Sequence, residues 1–449
     1  MSNPSSVRSA RGHLAPLLFR LHGYIGLFVG PFLVVAALSG VLYALTPQLE
    51  ERLYAGELFA ASRGPALPLA QQIEAARARI GEAARLAAVR PAPAPGFTTR
   101  VMFAQAGAGP SEHRALFVDP VSGEIRGDLP VYGTSGVLPL RTWIDQLHRS
   151  LLLGEWGRLY SELAASWLWV VAVGGLLLWL TRRGGAAPSG FAARWHRRLG
   201  LGLLLGLLFF SATGLTWSKW AGSRIGLLRA EFGWATPALS TALSATTSVA
   251  GAHDEHAHHG TAPSAAALPA EPALFDAVLA AARAAGIDAG KLEIVPATAA
   301  GRAWTVSEID RGWPTQVDAV AVDPVRLTVT DRVDFADYPL AAKLTRWGID
   351  AHMGVLFGLA NQLLLVGVGG GLLLMAGWGY RMWWRRRPGR GAAAGPWRTL
   401  RRLPGPMRLG ILAGATVLGL CLPVMGASLL AFVLLDEFRV RSAARGERG

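Results

Sequence analysis

Residues 22–40, HGYIGLFVGPFLVVAALSG, and residues 196–214, HRRLGLGLLLGLLFFSATG, decide how the rest of the chain is read. Both open on histidine, and both place glycine four residues on (Gly26, Gly200) and again at the end (Gly40, Gly214). Beyond Arg197 and Arg198 they carry no charge. About 20 apolar residues in a helix cross a hydrocarbon core of roughly 30 Å. Each stretch therefore predicts a membrane span, and the identical spacing predicts an internal repeat.

The repeat extends outward from these stretches. Ile144-Asp145 and His148 precede a second apolar stretch; Ile349-Asp350 and His352 precede a fourth. A glycine, Gly154 or Gly358, stands six residues after each of these histidines, and arginine pairs close the segments at Arg182-Arg183 and Arg385-Arg386. Val-Asp-Pro occurs in both intervening polar segments, at 118–120 and 322–324. The expected fold is an α-helical membrane protein with five transmembrane helices, at 22–45, 148–180, 199–217, 347–379 and 409–435. It contains two copies of helix, outer domain and helix, with small α+β outer domains at 46–147 and 218–346. In the first domain 69–89 has a helical period, and Arg100–Gln105 and Ala115–Ile125 alternate as strands. In the second, 272–285 reads as a helix, 302–309 and 316–330 as strands, and 235–270 as a low-complexity loop. A straight helix from His148 to Arg182 would be about 50 Å long, too long for the core, so either the outer pair projects well above the membrane or the helix breaks near Gly154 and Gly157, where Glu155, Arg158 and Glu162 favour a break or an interfacial stretch. His352 meets apolar sequence at once, so the two copies are expected to differ there.

Of the 449 residues 51% are hydrophobic and 16% charged, against about 25% charged in soluble domains. The net charge of +14 is concentrated in residues 1–21, 181–198 and 380–408. Positive charge confined to short segments between apolar spans marks the cytoplasmic side and argues against nucleic acid as partner. This places the two long polar segments, and the tail 436–449, outside. The single cysteine, Cys421, excludes an intrachain disulfide, a cysteine-ligated iron–sulfur cluster and c-type haem attachment. No GxGxxG, P-loop or HExxH occurs.

Together, the histidine-headed helix, the turn Val118 to Glu124 (VDPVSGE) and the LHRSLLLG segment at 147–154 resemble the PepSY-associated transmembrane family, over about 20–387. The second copy departs from the pattern, with Val325-Arg326-Leu327-Thr328 after Asp323-Pro324. The resemblance implies a multi-pass protein of the bacterial inner (cytoplasmic) membrane with large periplasmic domains, acting in siderophore or iron uptake. Some similar proteins are haem-containing ferric-siderophore reductases.

His22, His148, His196 and His352 occupy repeat-equivalent helix ends, one pair on each membrane face. Two neutral imidazoles on either side of an iron are what b-type haem ligation requires. With the resemblance, this gives two expected b haems, one on His22 and His196 and one on His148 and His352. Gly26 and Gly200, on the same helix faces as their histidines, would leave room for a macrocycle. No catalytic residue beyond the haem ligands is expected. The donor would be a quinol or a separate reductase, the acceptor a ferric siderophore or other ferric chelate, and the lipid bilayer the surrounding partner. The bland reading makes these histidines interfacial polar residues and the glycines ordinary packing residues. His253, His256, His258 and His259 form a tract that could capture a surface metal. Two rivals stay open: a PepSY binding or regulatory module without redox activity, and a copper or other metal-uptake protein. Trp167, Trp169, Trp217, Trp220, Trp378, Trp383 and Trp384 read as an interfacial belt.

Overall fold

A computed structural model describes residues 4–81, 83–105, 107, 109, 111–133, 135–181, 190–243, 270–385 and 396–446. The chain divides into a helical unit (1–42, 145–228 and 363–449) and a sheet unit (43–144 and 229–362).

The sheet unit differs from the expected pair of outer domains: the strands of both halves form one antiparallel sheet. The first half contributes β1 (Leu86–Arg90), β2 (Thr99–Ala104), β3 (Glu112–Val118) and β4 (Ile125–Tyr132). The second contributes β5 (Leu292–Val295), β6 (Trp304–Glu308), β7 (Ala319–Val322) and β8 (Val329–Val333). The order β4-β3-β2-β1-β5-β6-β7-β8 joins the halves at β1 and β5, where Val89 pairs with Ile294. A buried ion pair holds this join. Arg90 Nε and Nη2 each lie 2.7 Å from Glu293 Oε2, and Arg90 Nη1 donates to Ser135 O at 2.8 Å.

The helices Leu69–Ile80 and Pro272–Ala284 cover one face, burying Ile73, Phe103, Leu116, Phe275, Ile294 and Val306 in a common core. Asp276 ties them together by accepting from the amides of Leu69 and Ala70 at 2.8 and 2.9 Å, where the first helix leaves donors unsatisfied. The expected helix over 69–89 stops at Ile80. Gly81 adopts φ 98°, and LAAVR then joins the sheet as β1. Both Val-Asp-Pro sequences make the same turn: the Asp119 carboxylate accepts from Val121 N at 2.9 Å, and that of Asp323 from Val325 N at 2.8 Å. Gly123 (φ 74°) and Leu327 (φ 54°) occupy the same left-handed position in the two turns.

In the helical unit, Gly154–Thr181 and Gly358–Arg385 are each long and apolar enough to cross a membrane alone. Two bent pairs, Ala15–Phe28 with Gly30–Ala44 (57°) and Phe191–Gly202 with Leu204–Thr216 (60°), qualify when each pair is one span. The two bends fall at repeat-equivalent residues, Val29 and Leu203. The first has a clear cause: Pro31 has no N–H to give Leu27 O, and Tyr380 Oη donates to that carbonyl instead, at 3.1 Å.

The expected break after His148 is present and also occurs in the second copy, contrary to the expected difference. Pro139–Ser150 is followed by Gly154–Thr181, and Leu340–His352 by Gly358–Arg385. Positive φ at Leu151, Leu152 and Gly154, and at Gly354 and Gly358, turns the two corners. The fifth expected span, 409–435, is not one helix. Gly405–Cys421 ends at Leu422, and Pro423–Gly446 begins again and packs back on it where Gly419 meets Gly426.

Candidate functional site

His22 lies on helix Pro4–Phe28 with its Nδ1 3.1 Å from Val171 O. His196 lies on helix Phe191–Gly202 with its Nδ1 3.0 Å from Met375 O. A carbonyl only accepts, so each Nδ1 carries the proton and each Nε2 keeps a lone pair for a metal. The repeat is preserved in this contact: His22 and His196 are 174 residues apart, matching Gly40 to Gly214, and Val171 and Met375 are 204 apart, matching His148 to His352. The two ring centroids lie 6.2 Å apart, with the planes at 82°. An iron held about 2 Å from a nitrogen of each ring needs ring centres roughly 6 Å apart. On that observation the pair fits axial ligation of a haem.

Glycines admit the rings. A Cβ on Gly175 would stand 3.2 Å from His22 Cε1, and one on Gly379, its repeat equivalent, 3.8 Å from His196 Cε1. Neither was singled out from the sequence; the 204-residue offset of the second helices is the signal that finds them. Of the two glycines that were, Gly26 has no atom within 4 Å of where a Cβ would stand. At Gly200 a Cβ would meet Met375 Cε at 3.1 Å. Gly200 is a packing glycine.

His148, on helix Pro139–Ser150, has its Nδ1 3.0 Å from Ser39 Oγ. The Ser39 hydroxyl donates to Val35 O at 2.7 Å, which leaves its oxygen to accept from His148. Burial lowers the His148 pKa against the opposing effect of Asp145. Ser39, too, escaped the sequence reading. His352 ends helix Leu340–His352 in the sheet unit. Two residues earlier Asp350 is fully buried, with Arg346 Nε at 3.0 Å and Arg311 Nη1 at 3.8 Å. The structure thus brings His22 and His196 together, and places His148 and His352 in different units.

His253, His256, His258 and His259 lie outside the described residues. Among the described residues no three His, Cys, Asp or Glu side chains converge as a metal site. Trp167 departs from the expected interfacial belt: it is buried in the bundle and donates from Nε1 to Ser428 Oγ at 2.9 Å.

The fold and site define a membrane protein that carries an eight-stranded antiparallel sheet and brings two histidines together in its helical unit. The profile of the PepSY-associated TM region matches residues 19–386, and the chain belongs to that family. Comparison with the curated proteins gives no match.

Proposed function

We propose that the chain is a b-type haem protein of the bacterial inner membrane that carries electrons to the periplasmic face and there reduces a ferric chelate, such as a ferric siderophore. The observation that supports this best is the His22–His196 pair, with its ring spacing and its two backbone-fixed tautomers. Haem, when bound, supplies one-electron Fe(III)/Fe(II) chemistry. The residues of the chain hold and orient it. His22 and His196 would hold one group, and the carbonyls of Val171 and Met375 keep their rings turned and singly protonated. Ser39 orients His148. The sheet unit is the docking surface for the chelate, which releases its metal because Fe(II) is held more weakly than Fe(III).

Oxidised and dithionite-reduced absorbance spectra of the purified full-length protein, with a pyridine haemochrome count, test this. Two haems per chain are expected. His22→Ala and His196→Ala should each remove the same one. A colourless protein after expression with ample haem refutes the reading.

A further inference from the structure

A cavity of about 380 Å³ opens in the helical unit against the helix that carries His22. Leu17, Leu18 and Leu21 form one wall, Leu177 and Leu180 a second, and Ile411 a third. Its one polar lining residue is Thr181, whose hydroxyl donates to Leu178 O at 3.0 Å and leaves the oxygen free to accept. Between Leu17 and Leu21, Arg20 carries a buried Nη1 without a hydrogen-bond partner. Pockets of this volume, mostly apolar with a few polar groups and set between the helices of a bundle, are ordinary small-molecule sites.

The repeat shows that the cavity is not simply space left for a group shared by the two histidines. In the second copy Leu17, Leu21 and Gly174 correspond to Phe191, Trp195 and Trp378. Those three rings pack on one another there, with centroids 6.0 to 6.5 Å apart. In the first copy the same positions carry two leucines and a glycine, and Gly174 lies against His22 Nδ1. Moreover, Ile411 belongs to helix Gly405–Cys421, beyond the segment that defines the family. The opening is specific to one half of the repeat and is completed by an element outside it.

We propose that this cavity binds the headgroup of a lipid-soluble quinol. A quinol reaches it through the hydrocarbon, presents a flat ring to the leucines, and donates a phenolic O–H to Thr181 Oγ. Its role as electron donor rests on the haem reading above; binding itself does not.

The test uses the full-length protein in nanodiscs, with decylubiquinone as ligand and an azido derivative of it as photolabel. Label is expected within residues 15–21, 177–181 or 405–421, and decylubiquinone should compete it away. Leu177→Trp, which fills the cavity, should weaken binding at least tenfold. Thr181→Val keeps the shape, loses one hydrogen bond, and should weaken binding by about three- to tenfold. Leu227→Trp, at an exposed position away from the cavity, should change nothing. Label spread over all the apolar helices overturns the proposal, as does label displaced by phospholipid but not by decylubiquinone, or affinity untouched by Thr181→Val. A protein that carries haem but fails these tests refutes the quinol site alone. A haem-free protein that passes them refutes only the reading above.

Discussion

Gly157→Ala tests the corner that presents His148. Ser150 O ends helix Pro139–Ser150 and accepts from Leu153 N at 2.8 Å. A methyl on Gly157 would fall inside the van der Waals shell of that carbonyl, and the nearest atoms are all backbone. No rotamer change can relieve the overlap, so the corner itself has to move. Little slack is available, because Leu151 and Leu152 already sit at φ 53° and 59°, where each costs about 1–2 kcal/mol. Overpacking generally costs about 1–3 kcal/mol, and this site belongs at the upper end, about 3 kcal/mol. The other copy supplies an internal control. Asn361 stands at the equivalent position and closes its corner by donating from Nδ2 to Ala351 O at 2.9 Å; losing that bond costs about 1 kcal/mol. At about 2–4 °C per kcal/mol, thermal unfolding in detergent should show Gly157→Ala lower by about 6–12 °C and Asn361→Ala by about 2–4 °C. A Gly157→Ala protein with the parental melting temperature would refute the close-approach argument.

Three further outcomes follow from the sheet unit. Glu293→Ala removes the carboxylate that neutralises buried Arg90 and should cost about 3–5 kcal/mol in chemical denaturation; a cost below 1 kcal/mol would mean that the join of β1 to β5 does not depend on the pair. Leu327→Gly matches the turn to its Gly123 counterpart and should gain about 0.5–1 kcal/mol, read as a higher denaturation midpoint. The backbone amide of Val325 above all holds the Asp323 carboxyl below its ordinary value of 3.8, against the opposing effect of burial. Its contribution is therefore full above the ordinary aspartate range and is lost as pH falls through the depressed value. Asp323→Asn should lower stability at neutral pH and flatten the acid limb, whereas an unchanged acid profile would count against this assignment.

The membrane helices and the paired histidines were legible because both depend on spacing along one chain. Identical distances from histidine to glycine in the two copies carry through to bends of 57° and 60° at the equivalent residues Val29 and Leu203. The sheet was less legible, since strand order is decided by partners far apart in sequence. LAAVR at 86–90 and LEIV at 292–295 are short, and the first follows an Ala- and Arg-rich helix whose period runs on past Gly81. Only their pairing across the halves makes them central strands. The fifth apolar stretch misleads in another way, since hydropathy is indifferent to the turn that Pro423 introduces. Among 54 glycines no local feature separates Gly175 and Gly379 from the rest, because what distinguishes them is the imidazole packed against each.

Equal spacings in the two halves of the sequence account for some paired features and not for others. The helices that carry His22 and His196 each bring one histidine to a common place. The contacts that orient those rings, His22 to Val171 and His196 to Met375, are the ones that have stayed equivalent. Around them the copies have diverged by single residues with large steric consequences: Gly174 against Trp378, Gly157 against Asn361, Gly123 against Leu327. The first of these differences leaves space beside His22 where three aromatic rings pack near His196. A symmetric pair offers the same ring to both sides, and any preference for approach from one side has to come from what surrounds it. Gly174→Trp would restore the symmetry, and its effect on ligand access beside His22 measures how much of that preference resides in this one position.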